Sequence, residues 1–127
     1  MKLALDTNVY REAADGKPRA VELLRRADEI YVPFVVLGEL RAGFAAGSVG
    51  KKNEAKLTEF LDSPRVRILL ADEQTTHIYA SLFAQLRRQG TPIPTNDLWI
   101  AALVTQHDLP LLTADRHFSH LPQILIL

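Results

Sequence analysis

The stretch Lys2-Leu3-Ala4-Leu5-Asp6-Thr7-Asn8 determines how the rest of the chain is interpreted, because an apolar run in it ends in a carboxylate, a hydroxyl and an amide. A short run such as Leu3 to Leu5 at the start of a chain predicts a buried strand. Open α/β sheets bind ligands at the carboxyl ends of their strands. We therefore expect Asp6 at a ligand-binding edge, although an aspartate after a strand is also a common helix N-cap.

The composition is that of an ordinary globular domain. The chain has 127 residues, of which 47% are hydrophobic and 24% charged, so we expect one domain over 1–127. Its 15 basic and 15 acidic residues cancel, and this balance indicates no partner. The absence of cysteine excludes disulfides and thiolate metal sites. With no signal peptide and no apolar run near the ~20 residues of a membrane span, the sequence predicts a cytoplasmic protein without a membrane partner.

Strand and helix patterns alternate along the chain. The predicted helices cover 9–14, a segment from Pro18, a segment from Pro33, 51–61, a segment capped by Asp72 that ends near Gly90, and a helix around 98–104; the predicted strands cover 3–5, 30–32, 66–70, 109–113 and, at an edge, 124–127. The helix at 98–104 is apolar nearly all round, which predicts a central, buried position with Thr95 or Asn96 as its cap. This alternation predicts an α/β fold, a three-layer sandwich with a mostly parallel central sheet flanked by helices.

Three further acids lie in apolar surroundings where a charge is costly. Glu39 lies on or beside the apolar stripe of its helix, and Asp97 lies in the first turn of the buried helix. Asp115 leaves the carboxyl end of a strand, as Asp6 does. Each has an ordinary alternative: Glu39 can reach solvent, Asp97 can interact with the helix dipole, and Asp115 can be a turn residue. Taken together with Asp6, they predict one acidic cluster.

Clustered, buried carboxylates favour a metal ion. They repel one another and lose hydration, so without compensation they would protonate or destabilise the fold. Mg²⁺ and Mn²⁺ prefer oxygen ligands, whereas zinc prefers nitrogen and sulfur ligands. A set of carboxylates alone therefore disfavours zinc. A metal held in this way can activate a water and neutralise charge on a phosphoryl oxygen.

Four motifs together carry a family resemblance. They are Asp6-Thr7-Asn8, Leu37-Gly38-Glu39-Leu40-Arg41-Ala42-Gly43, Asn96-Asp97-Leu98-Trp99-Ile100-Ala101-Ala102 and Thr113-Ala114-Asp115-Arg116-His117-Phe118. In this order and spacing the chain resembles the PIN-domain ribonucleases, and more narrowly the VapC toxins of toxin–antitoxin pairs. The resemblance implies a Mg²⁺- or Mn²⁺-dependent endoribonuclease that leaves 5′-phosphate and 3′-hydroxyl ends, acts as a homodimer and is silenced by a small antitoxin protein.

The resemblance also implies roles for individual residues. Asp6, Glu39, Asp97 and Asp115 correspond to the family's catalytic, metal-binding quartet, with the fourth acid often held through water. Thr7 or Thr113 would orient a ligand or a water, and Asn8 would brace the first turn. These roles are expectations for the structure to test.

Two other functions fit an aspartate at the end of a first strand. One is a phosphatase or phosphotransferase with an aspartyl nucleophile. Asn8, rather than a second acid, stands two residues past Asp6, and no lysine candidate lies near a late strand, which disfavours it. The other is a catalytically silent binding module whose acids receive a partner's arginine.

Several remaining features have simpler interpretations. His117 and His120 are expected to be loop histidines, because their spacing without a helix is a poor zinc signal. Trp99 is expected in the core, and the apolar residues around Val35, Val36, Leu37 and Phe44 are predicted dimer or antitoxin contacts. The basic sites, which would bind RNA only if they converge on the acidic edge, are Arg25-Arg26, Lys51-Lys52, Arg65, Arg67 and Arg87-Arg88.

Overall fold

Four parallel strands form one sheet in the computed structural model, which describes residues 1–127. The strands are β1 (Lys2–Leu5), β2 (Glu29–Pro33), β3 (Val66–Leu69) and β4 (Leu111–Leu112), and their order in the sheet is β3-β2-β1-β4. β1 is paired on both sides, in the registers Leu3↔Ile30 and Leu5↔Leu112. A parallel strand in this central position is covered on both faces, which is why the residues of the first apolar run are fully buried.

Six α-helices flank the sheet, so the predicted α/β sandwich is confirmed. They are α1 (Thr7–Ala14), α2 (Pro18–Arg26), α3 (Phe34–Ala46), α4 (Gly50–Leu61), α5 (Glu73–Gln89) and α6 (Thr95–Gln106), and a 3₁₀ helix (Arg116–His120) follows β4. None of the helices combines the length and apolar character that crossing a membrane requires.

Local signals in the sequence account for several helix ends. Pro18 occupies the first turn of α2, where its missing N–H costs nothing. Asp72 caps α5 through a reciprocal capping box with Thr75. The same helix ends at Gly90, whose φ of 72° lies in the left-handed region that glycine adopts without strain. The predicted start and end of this long helix are therefore confirmed.

The buried position of α6 is confirmed, but its predicted cap is wrong. Residues Leu98 and Ile100 to Val104 are buried, as expected for a helix that is apolar nearly all round. The N-cap is Pro94, which makes no side-chain hydrogen bond, and Thr95 already lies inside the helix. Pro94 has φ −56° and ψ 150°, so the rigid proline connector itself sets the extended backbone from which the helix starts.

Two further expectations are corrected. The segment 124–127 forms a single parallel bridge, Leu111↔Ile126, instead of an edge strand, and Leu125 is 66% exposed. Its partner β4 is only two residues long, so there is no ladder for a longer strand to extend. Of the predicted dimer or antitoxin contacts, Val35, Val36 and Leu37 are buried in the core of the chain itself, whereas Phe44 is only partly buried.

The order of the strands determines where ligands can bind. The chain proceeds from β1 through β2 to β3 in one direction and then returns to place β4 on the other side of β1. The strand order therefore reverses between β1 and β4. At such a switch point the connections leave in opposite directions and open a crevice at the carboxyl ends of the strands.

Candidate active site

Asp6 lies in this crevice, directly after β1, and it is held from two sides. Its Oδ1 accepts a hydrogen bond from the backbone N–H of Thr7 at 2.8 Å. Its Oδ2 accepts one from Thr113 Oγ1 at 2.6 Å, across 107 positions of sequence. Only 4% of the residue is exposed. With both oxygens engaged in charge-assisted hydrogen bonds, the carboxylate is held in one orientation.

Glu39 reaches the same crevice from the second turn of α3. This helix follows β2 without a loop, so its first turns begin at the carboxyl edge of the sheet. Thr7 Oγ1 donates a hydrogen bond to Glu39 Oε1 at 2.9 Å. Thr7 therefore orients Glu39 and Thr113 orients Asp6. The sequence analysis predicted instead that one of these threonines orients a ligand or a water.

Asp97 and Asp115 complete the acidic edge through His117. Asp97 lies in the first turn of α6 and is buried, whereas Asp115 is half-buried at the start of the 3₁₀ helix. His117 Nδ1 is 2.8 Å from Asp97 Oδ2 and 3.0 Å from Asp115 Oδ1. Thr113 Oγ1 accepts the backbone N–H of Asp115 at 2.9 Å, which connects this pair to Asp6. The structure thus brings all four predicted acids together.

Burial and neighbouring acids affect the ionisation of Asp6 and Asp97. Burial raises the pKa of Asp6, hydrogen bonds from Thr113 and Thr7 lower it, and the charges of Glu39 and Asp115 raise it again. Burial also raises the pKa of Asp97, against the hydrogen bond from His117, and the charges of Asp115 and Asp6 add to the rise. The site therefore concentrates negative charge that the protein alone compensates only in part.

His117, predicted to be a loop histidine, instead lies in the 3₁₀ helix and contacts two of the acids. The turn after β4 folds it back, because Asp115 Oδ1 accepts the backbone N–H of His117 at 2.9 Å. Its hydrogen bond to Asp97 and the charge of Asp115 raise the pKa of the imidazole. The signal in the sequence was the Asp-x-His spacing itself, since an aspartate that bonds the N–H two residues on makes a tight turn. His120 makes no contact with the acids; its carbonyl accepts a hydrogen bond from Gln89.

Asn8 does not brace the first turn of α1 through its side-chain oxygen. This oxygen is buried and has no hydrogen-bond partner in the chain. Trp99 is partly buried and lies against Tyr79, with ring centroids 4.1 Å apart, which agrees with a packing role.

Four of the eight basic residues named from the sequence are engaged elsewhere. Arg25 and Arg26 both pair with Glu22, and Arg65 donates to the carbonyls of Leu24 and Ala27. Arg67 lies 3.7 Å from Glu29. Arg41, which follows Glu39 by two residues, pairs with Glu54 on α4 at 2.9 Å. These contacts give no support to a convergence of basic residues on the acidic edge.

Comparison with known proteins shows which family this chain belongs to. The model of the PIN domain family matches residues 3–124. Ribonuclease VapC4 of Mycobacterium tuberculosis is 32% identical over 93 residues, which are 73% of this chain and 72% of the relative. Ribonuclease VapC1 of Haemophilus influenzae (strain R2866) is 34% identical over 101 residues, 76% of this chain and 74% of the relative.

Solved structures agree with the sequence relatives. The crystal structure of VapBC2 from Rickettsia felis bound to a DNA fragment from its promoter superposes with a TM-score of 0.86 at 28% identity, over 100% of this chain and 98% of the other. VapBC-5 of Mycobacterium tuberculosis, a member of the VapBC family of toxin–antitoxin systems, gives 0.76 at 27% identity, over 99% and 97%. The chain therefore belongs to the PIN-domain family and, within it, to the VapC type.

Proposed function

We propose that this protein is a Mg²⁺- or Mn²⁺-dependent endoribonuclease and the toxin of a type II toxin–antitoxin pair. The observation that carries the proposal is the convergence of Asp6, Glu39, Asp97 and Asp115 at the switch point of the sheet. The names of the relatives support it, because VapC4 and VapC1 are ribonucleases and the similar solved structures are VapBC complexes. The aspartyl-nucleophile alternative is disfavoured because Asn8, rather than a second acid, stands two residues past Asp6.

The donor set fits a hard divalent cation. Glu39, Asp97 and Asp115 each have one carboxylate oxygen without a hydrogen-bond partner, and their engaged oxygens, Oε1, Oδ2 and Oδ1, keep a lone pair that can bind a cation. Burial raises the pKa of Asp6 and of Asp97, and the charges of neighbouring acids add to the rise, which supports a counter-charge at this site. Carboxylate oxygens in such a crevice are the ligands that Mg²⁺ and Mn²⁺ prefer.

The proposed reaction is hydrolysis of an RNA phosphodiester bond. Asp6, Glu39, Asp97 and Asp115 would hold the ion, which when bound supplies activation of a water and neutralisation of phosphoryl charge. The residues of this chain keep the acids in position: Thr113 orients Asp6, Thr7 orients Glu39, and His117 holds Asp97 beside Asp115. Because these contacts exist before substrate arrives, little reorganisation is needed at the moment of reaction.

The test is cleavage of RNA in Mn²⁺ or Mg²⁺ by the wild type and by Asp97→Asn. Activity should fall by more than about a hundredfold, beyond the loss expected for a residue that only supports a ligand. Asp108→Asn is the matched control, because Asp108 is exposed beyond the opposite end of α6, and asparagine tolerates its φ of 51°. Undiminished cleavage by Asp97→Asn, or full activity in excess chelator, would overturn the assignment.

The proposal includes an antitoxin partner, a homodimer and a cytoplasmic location. Its support is that the similar solved structures are VapBC complexes. Co-purification with the product of a short adjacent reading frame, together with loss of RNA cleavage in that complex, would support the partner. A monodisperse monomer by light scattering that is indifferent to that product would count against both partner and dimer.

A further inference from the structure

His117 lies against two of the acids to which the proposed function assigns a metal. Its Nδ1 is 2.8 Å from Asp97 Oδ2 and 3.0 Å from Asp115 Oδ1. The two acids belong to different elements, α6 and the turn after β4. One ligand atom from each of the three side chains lies within 4.8 Å of the others. The imidazole nitrogen therefore belongs to the same group of potential metal-ligating atoms as the carboxylates of Asp97 and Asp115.

The spacing of these atoms matches that of neighbouring ligands on one ion. Two ligands in adjacent positions of an octahedral ion, with bonds of about 2.1 Å, are about 3 Å apart. In the ion-free protein a single Nδ1 proton serves both contacts, as a hydrogen bond to Asp97 and an ion pair with Asp115. An ion that replaces this proton would lie within reach of Nδ1 and of both oxygens, since the three atoms lie within 4.8 Å of one another.

The fold holds the ring in this position. The backbone N–H of His117 donates to Asp115 Oδ1 at 2.9 Å, which closes the turn that brings the imidazole to the acids. The next residue, Phe118, is fully buried and anchors the 3₁₀ helix in the core. A side chain set by a turn and a buried neighbour is preorganised for binding.

We infer that His117 Nδ1 is a direct metal ligand, which makes this a mixed nitrogen–oxygen site selective for Mn²⁺ over Mg²⁺. The inference rests on the proposed function, because it adds a ligand to the acids of that site. Imidazole nitrogen is a ligand of transition metals, whereas Mg²⁺ favours an all-oxygen environment. The nitrogen therefore gains more affinity for Mn²⁺ than for Mg²⁺.

The direct test is pulsed electron paramagnetic resonance of the Mn²⁺-loaded protein, prepared once with ordinary and once with ¹⁵N-labelled histidine. A histidine nitrogen coupling that changes with the label is expected in the wild type and should be lost in His117→Gln. His120→Gln is the matched control, because His120 lies in the same 3₁₀ helix and has no contact with the acids. The side chain of His117 is 46% exposed, so glutamine fits there without repacking the core.

Calorimetric titration of both ions separates ligation from mere positioning of Asp97. His117→Gln should lose about tenfold or more in Mn²⁺ affinity and clearly less in Mg²⁺ affinity. Equal losses for the two ions, or Mn²⁺ binding by the wild type without a histidine nitrogen coupling, would overturn the ligand assignment and leave the proposed function standing. Failure of the wild type to bind Mn²⁺ at all would overturn both.

Discussion

Thr113 connects two acids that enter the site from different strands. Its hydroxyl donates to Asp6 Oδ2 and accepts the backbone N–H of Asp115. A buried hydroxyl that is engaged in both directions fixes the distance between the chain segments on either side of it. The orientation of Asp6 and Asp115 therefore depends on the Thr113 side chain as well as on the backbone.

Thr113→Val tests this role, because valine keeps the shape of threonine and removes the hydroxyl. The hydrogen bond from Thr113 lowers the pKa of Asp6, so its loss should raise that pKa further in the metal-free protein. The measurement is the ¹³C shift of the Asp6 carboxyl carbon as a function of pH. Thr113→Ser keeps the hydroxyl and should titrate like the wild type; identical titration of Asp6 in the valine variant would refute the role.

The ionisation of the site predicts how stability depends on pH. Asp6, Asp97 and His117 all have a pKa that is higher in the folded chain than its ordinary value, 3.8 for the aspartates and 6.5 for the histidine. The folded state therefore holds the proton more tightly, and the free energy of unfolding falls as pH rises above those values. Acids whose pKa is lowered in the folded chain, such as Asp72, change protonation only at lower pH. They therefore do not offset the fall in the free energy of unfolding.

In chelator, the free energy of unfolding by urea should decrease from pH 5 to pH 8. The contribution of His117 is fully present below pH 6.5 and is lost as pH rises through the folded pKa, so His117→Gln should flatten the upper part of the profile. His120→Gln should retain the wild-type slope. If the free energy of unfolding stayed level or rose between pH 5 and pH 8, the ionisation of this site would not control the pH dependence of stability.

The sequence singled out the four acids, and the Asp-x-His spacing indicated the turn at His117 but not the contact of its ring with Asp97. Asp6 and Asp115 each follow an apolar run, and Asp97 and Glu39 lie on helices with buried faces, so their local context already marked them. His117 reaches the site through a turn and through the packing of α6 against the 3₁₀ helix. His117 and Asp97 are 20 positions apart in the sequence, and no periodic pattern predicts that they are in contact.

At the scale of elements, the junction of α3 and α4 depends on one glycine. A Cβ placed on Gly50 would lie 2.5 Å from the carbonyl oxygen of Phe44, a backbone atom that cannot move aside. Gly38, in the middle of α3, is exposed and has nothing within 4 Å of such a Cβ. The two positions therefore respond to the same substitution in opposite ways.

Gly50→Ala should destabilise the protein by about 1–3 kcal/mol, as overpacking does. Gly38→Ala should stabilise it by about 0.5–1 kcal/mol, because alanine is the better helix former at an unstrained site. Urea unfolding of both variants checks the pair. Equal effects of the two substitutions would show that α4 can shift away from Phe44.

The elements themselves were predictable where one signal dominated the local sequence. The apolar run of β1 and the all-round apolar face of α6 each required burial, and the structure confirms both. The cap of α6 was missed because Pro94 fixes the entering backbone without any side-chain hydrogen bond. The segment 124–127 was assigned to a strand because its residues are apolar, but pairing depends on the length of β4, which that segment does not encode.

For the whole molecule, the site joins segments from β1, α3, α6 and the turn after β4, so an ion bound there should stabilise the entire fold. Mn²⁺ at a hundredfold its dissociation constant should raise the free energy of unfolding by about 2.7 kcal/mol, since the unfolded chain cannot assemble the four acids. Thermal unfolding followed by circular dichroism, with and without Mn²⁺, measures the gain. Asp97→Asn should lose most of it, whereas Glu59→Gln, at an exposed position of α4, should keep it. An equal gain in both variants would mean that the ion stabilises the fold from somewhere other than the acidic crevice.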